Sequence, residues 1–103
     1  MSNTAEQLHK ALQDCQTLLD QSDEQFWARK IKDAIQHYDS SKGPSPRSIL
    51  SWFGGTGSFN DLFLSSYNGH LIPDGEETHL NERFRYHRSV IYELADKLAK
   101  TGD

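Results

Sequence analysis

Residues 75–100 read GEETHLNERFRYHRSVIYELADKLAK, and their periodicity decides the fold class. Leu80, Phe84, His87, Ile91, Leu94 and Leu98 recur at spacings of four, three, four, three and four, which places them along one side of an α-helix of about six turns. Val90 and Ala95 broaden the stripe. A seam of that length needs apolar faces to cover it, and the preceding sequence supplies them.

From Thr4 to Asp20, the residues Ala5, Leu8, Leu12, Cys15 and Leu19 keep the same three-and-four spacing, with Ala11 and Leu18 widening the face. Asn3 or Thr4 is placed to cap this first helix. Ser22 and Gln25 stand three apart in the manner of a capping box, with Asp23 and Glu24 in a first turn where negative charge complements the helix dipole. A second helix is expected from here, facing inward through Phe26 or Trp27, Ile31, Ala34, Ile35 and Tyr38. The short link predicts an antiparallel helical hairpin. The run DSSKGPSP at 39–46 reads as a loop. Pro46 then fits the first turn of a short helix, capped by Ser45, that continues through Ile49, Leu50, Trp52 and Phe53 and stops at Gly54.

Gly54, Gly55 and Gly57 mark a bend, the kind of place where φ turns positive and longer side chains obstruct. Ser58, three residues before Asp61, predicts another cap and a single helical turn or compact coil over 59–64. Asn68-Gly69 and Pro73-Asp74-Gly75 are turn signals, the first compatible with a tiny hairpin. The expected fold is all-α: a small bundle of about four helices, with a glycine-rich bend and an irregular loop before the long C-terminal helix. Residues 1–103 are read as one domain, a size sufficient for a single core.

The chain carries 11 Lys and Arg against 15 Asp and Glu, a formal net charge of −4, and the bases are scattered along it. A general nucleic-acid surface needs concentrated positive charge, so direct nucleic-acid binding is not expected; a basic protein partner is. No apolar run reaches the roughly 18 to 20 residues that span a bilayer, and MSNTAEQLHK lacks the apolar core of a signal peptide. The expectation is a cytoplasmic protein without membrane attachment. Cys15 is the only cysteine, and its place on the first apolar face reads as a buried, inert thiol.

The glycine cluster invites a phosphate-binding reading, but Gly55-x-Gly57 is followed by Asn60 where that motif needs glycine, no strand precedes it, and there is no Gly-Lys-Ser/Thr. Glu6/His9 and Glu76/His79 resemble the Glu-x-x-His pairs of di-metal bundles, yet the further inward glutamates such a site requires are missing. No metal or cofactor is expected. His87 falls on the apolar line of the last helix and is expected to be buried and bonded to a loop carbonyl, Asn60, Asp61 or Tyr38. His70 lies in a loop, where sites concentrate. Arg83 presents a fork of donors able to hold Asp61 or loop carbonyls and so fix the glycine bend; a solvated helix face is the alternative.

The residues Gly54-Gly55-Thr56-Gly57-Ser58-Phe59-Asn60-Asp61-Leu62, Asn68-Gly69-His70, Leu80-Asn81-Glu82-Arg83 and Ile91-Tyr92-Glu93-Leu94-Ala95 resemble the signature of a small uncharacterised bacterial domain family, over roughly Phe26 to Leu98. That likeness implies no chemistry. The acidic, cysteine-poor build also resembles, more loosely, the immunity proteins of bacterial toxin systems. The expected function is accordingly a non-enzymatic protein-binding module, an immunity protein that neutralises a basic toxin such as a nuclease. Asp14, Asp20, Asp23, Glu24, Asp39, Glu76 and Glu77 are its candidate contacts. The rival expectation is a small-ligand or enzymatic pocket formed by Asn60, Asp61, His70 and Arg83.

Overall fold

The computed structural model describes residues 4–40, 46–54 and 58–101, apart from the side chains at 37–40 and 101. The expectations for Asn3, Tyr38, Asp39, Ser45, Gly55 and Gly57 lie outside what is described. The helices are α1 (Thr4–Gln21), α2 (Gln25–Ser40), α3 (Pro46–Leu50) and α4 (Glu77–Thr101), with 3-10 turns at Ser51–Phe53, Phe59–Asp61 and Ser66–Asn68. Among the described residues there is no strand, and the fold is an all-α bundle. α1 is the central helix, packing on α2 along one flank and on α4 along another, while α3 packs on α4.

The first apolar face behaves as its spacing predicts: Leu8, Ala11, Leu12, Cys15, Leu18 and Leu19 are all buried. α1 ends in a Schellman motif. Glu24 N–H donates to Leu19 O at 2.8 Å and Asp23 N–H to Asp20 O at 3.1 Å, with Asp23 left-handed at φ 57°. The predicted capping box of Ser22 and Gln25 does not form. Glu24 caps α2 instead, its Oε2 accepting the Trp27 N–H at 3.0 Å, while Gln25 Nε2 donates to Asp23 Oδ1 at 2.7 Å. With the Schellman turn occupying Ser22 and Asp23, the first residue free to cap is Glu24. On α2, Trp27, Ala28 and Ile31 are buried and Phe26 is exposed, which settles the Phe26-or-Trp27 alternative.

α4 has the expected length, and Phe84, Ile91 and Leu98 of the predicted seam are buried, but the positions between them are displaced by one residue. Asn81, Phe84, Ile91, Ala95 and Leu98 are buried, with Arg88 half-buried on the same line, whereas Leu80, His87 and Leu94 are only partly covered. The cause is that α4 has partners on two sides. Its His87, Val90 and Leu94 flank borders Ala11 and Asp14 of α1, while Asn81 and Arg88 bond to the chain between α3 and α4. His87 therefore borders α1 rather than Asn60 or Asp61. Burial lowers its pKa, an effect opposed by Asp14 and reinforced by Arg83.

Phe59 is the hub of the remaining core. Fully buried, its ring lies 4.7 Å from Trp27, 5.7 Å from Trp52, 5.5 Å from Phe53 and 5.3 Å from Phe84, centroid to centroid, mostly edge-on. These spacings are in the favourable range for aromatic pairs. Phe59 thus joins α2, α3 with its following turn, and α4 through one side chain.

Candidate functional site

Phe59 is delivered by a short turn whose backbone is held from both sides. Ser58 Oγ accepts the Asn60 N–H at 3.3 Å, the cap that the sequence predicts. Asn60 Nδ2 donates to Phe53 O at 2.9 Å, drawing the two sides of the glycine stretch together. Arg88 Nη1 donates to Phe59 O at 3.3 Å and to Asn60 O at 3.1 Å, with its guanidinium 5.2 Å from the Phe84 ring centroid. The arginine that fixes this bend is Arg88. Arg83, expected in that role, is exposed one turn away and lines a different cavity with His79, Glu82, Tyr86 and His87. Gly54 has an ordinary extended φ of −119°, and a Cβ there would meet nothing within 4 Å.

The chain then runs as an irregular segment, Leu62 to Glu76, clamped by buried polar groups. The Asn81 side chain pairs with the Leu64 backbone as a neighbouring strand would: Leu64 N–H donates to Oδ1 and Nδ2 donates to Leu64 O, both at 2.8 Å. A further bond from Nδ2 to Glu77 O, 2.9 Å, engages both N–H donors of the amide. The Ser66–Asn68 turn closes as a second Schellman-type motif. His70 N–H donates to Ser65 O and Gly69 N–H to Ser66 O, both at 3.1 Å, with Gly69 left-handed at φ 86°. This turn replaces the tiny hairpin that Asn68-Gly69 suggested.

His70 is a clamp. Its Nδ1 accepts the Ser65 N–H at 2.9 Å, so in the neutral ring Nε2 carries the hydrogen and faces Glu24 Oε1 at 2.8 Å. The two side chains are 5% and 12% exposed. Leu71 N–H adds a bond to Ser22 O at 2.9 Å, tying the segment to the α1–α2 junction. Both ring nitrogens are engaged, so in this arrangement His70 offers no free nitrogen for acid–base chemistry.

Asn60, Asp61, His70 and Arg83 do not converge in one cavity. Asp61 and His70 line an open depression of about 260 Å³ with Glu24, Trp27, Phe63 and Asn68. Asn60 lines another with Phe53, Arg88 and Tyr92, and Arg83 a third. Of the acidic candidates, Asp14, Asp20, Asp23 and Glu76 are exposed and Glu77 is partly so, whereas Glu24 is turned inward as cap and His70 partner. Among the described residues, no group of three or more His, Cys, Asp and Glu is placed to hold a metal ion, and no helix is long and apolar enough to cross a membrane.

Sequence reasoning missed the outer face of the clamped segment. Phe63, Tyr67 and Leu71 are 52%, 98% and 65% exposed. Phe26, 63% exposed, sits edge-on at 5.5 Å to Trp27, which lines the same depression as Phe63. The scatter of bases is also less even than it looks, because residues 11–28 and 48–82 contain no Lys or Arg while carrying Asp14, Asp20, Asp23, Glu24, Asp61, Asp74, Glu76, Glu77 and Glu82. Those two stretches supply the α1–α2 junction, the clamped segment and the start of α4. A tally of cation-free runs alongside the overall charge would have exposed this asymmetry.

A family model described as a domain of unknown function, DUF6966, matches residues 20–73, and the chain belongs to that family. The match takes in Glu24, Phe59 and His70 and stops before Asn81 and Arg88 of α4. No curated protein and no solved structure matches the chain.

Proposed function

We propose that the chain is a non-enzymatic, cytoplasmic protein-binding module: an immunity protein that neutralises a cognate basic toxin. The observation that carries this reading is the charge asymmetry: the cation-free stretches 11–28 and 48–82 meet where Leu71 N–H bonds to Ser22 O. An excess of acidic over basic charge on a small protein attracts a basic partner and repels acidic competitors. A nuclease toxin suits this chemistry because its substrate groove must be positive to hold phosphates. The loose likeness to immunity proteins in size, charge and cysteine content supports the same reading. It is tested by expressing the product of the adjacent gene with and without this chain. Growth arrest relieved by co-expression, with a complex that weakens steeply between 50 and 500 mM salt, is the expected result. An adjacent product that is harmless and does not bind the chain overturns it.

A further inference from the structure

Resting on the reading of a basic protein partner, we infer that the outer face of residues 63–71 is the contact surface. Phe63, Tyr67 and Leu71 are its anchors, and its occupant is a partner segment that carries arginine or lysine beside apolar side chains. Large apolar side chains standing in water are common singly, but here they rise from one short segment whose backbone is held from beneath. Asn81 fixes Leu64, His70 fixes Ser65, Glu24 fixes His70, and Ser22 fixes Leu71. A segment already ordered in the free protein loses little conformational freedom on binding, so its exposed rings convert contact into affinity efficiently. Tyrosine and phenylalanine also suit anchor positions because they offer large area on few rotatable bonds.

The chemistry of the occupant follows from the surroundings. Lys and Arg are absent from the sequence between Ser48 and Glu82, and Asp61 lines the same depression as Phe63. Aromatic faces next to carboxylates attract guanidinium and ammonium groups by combined cation–π and charge interactions. The adjoining rings already show this preference within the chain, since Lys30 Nζ stands 5.4 Å from the Phe26 ring centroid and 5.1 Å from that of Trp27.

The test has two arms. In the first, backbone amide shifts of the 15N-labelled chain are followed on titration with a capped hexapeptide alternating arginine and leucine, and with one alternating glutamate and leucine. The expected result is saturable perturbation of residues 63–71 by the arginine peptide alone. The apparent Kd should rise at least about fivefold in Tyr67→Ala and in Phe63→Ala, whereas Tyr86→Ala, an exposed ring on α4, leaves it unchanged. Perturbation elsewhere, equal response to both peptides, no saturable response, or unchanged binding in Tyr67→Ala and Phe63→Ala overturns the inference. The amide spectrum of each variant verifies its fold. In the second arm the product of the adjacent gene replaces the peptide. Binding that ignores Tyr67→Ala and Phe63→Ala overturns the assigned surface and leaves the immunity reading standing, whereas absence of binding overturns the immunity reading and the first arm decides the surface.

Discussion

Glu24 and His70 each stand directly after a left-handed residue that closes a Schellman-type turn, and across 46 positions of sequence their side chains meet at 2.8 Å. The two turns present their following residues toward each other, and the carboxylate does two tasks. One oxygen caps α2 at Trp27 and the other accepts from His70. Glu24→Ala removes a cap worth about 1 kcal/mol and leaves the inward His70 N–H without its partner, for a further 1 to 3 kcal/mol or so. A loss of about 2 to 4 kcal/mol in urea unfolding at pH 7 is the expected outcome. Glu24→Gln should fall between, because a single amide oxygen replaces the two acceptors.

The glycines separate into a demanding one and a permissive one. Gly69 has φ 86°, so Gly69→Ala places a Cβ in the left-handed region and should cost about 1 to 2 kcal/mol. Gly54 is extended with open space around it, so Gly54→Ala should be neutral or stabilising by up to about 1 kcal/mol through its effect on the unfolded chain. Thermal unfolding of the two variants side by side checks the contrast.

Asn81→Leu retains bulk but strips the Leu64 N–H and carbonyl of the side chain that pairs with both. With both groups buried, the expected loss is about 2 to 5 kcal/mol by chemical denaturation. Asn81→Asp keeps the acceptor for Leu64 N–H but sets an oxygen against Leu64 O and Glu77 O, so it too should destabilise.

How much of this was legible in the sequence depends on which groups did the holding. The helices follow from apolar spacing, and the turn residues announced the loops. On α4 the apolar spacing marks Phe84, Ile91 and Leu98 as inward but puts Leu80 and His87 where Asn81 and Arg88 stand, because those two are polar and hydropathy assigns polar residues to solvent. Their tasks are to satisfy the backbone of Leu64, Phe59 and Asn60, beside which no strand lies among the described residues. The candidate pocket failed to assemble for a related reason: Arg83 and Arg88 are both plausible forks, and only the rotation of the helix decides between them. The exposure of Phe63 and Leu71 is hidden in the sequence because both look like core residues until the backbone between them is seen to turn.

Two titratable groups, the buried Cys15 and the partly covered His87, give the fold opposite pH limits. Burial pushes the Cys15 thiol up from 9.0 to about 12, an effect that Asp14 reinforces and Arg88 opposes. Between those values the folded protein keeps a proton that the unfolded chain releases, so the stability contribution is complete below pH 9 and is lost as pH rises toward 12. A disulfide reagent at pH 8 should accordingly label Cys15 only through opened states of the chain, and far more slowly than it labels an exposed thiol. His87 is depressed below 6.5, chiefly by burial, so its contribution is complete above pH 6.5 and is lost as pH falls below that value. Tm measured from pH 8 to pH 4 should decline less steeply in His87→Gln than in the parent chain.

The doubled use of Glu24 makes the first turn of α2 and the clamped segment thermodynamically linked. Breaking the His70 contact frees the carboxylate that caps Trp27, and fraying that first turn withdraws the acceptor that holds His70. The amides of Trp27, Ser65 and Leu71 then belong to one opening equilibrium, although they are far apart in sequence, and would exchange hydrogen at a common free energy. Whatever grips the outer face of residues 63–71 in its closed form is felt at the start of α2 by the same factor with which α2 is felt by the ligand.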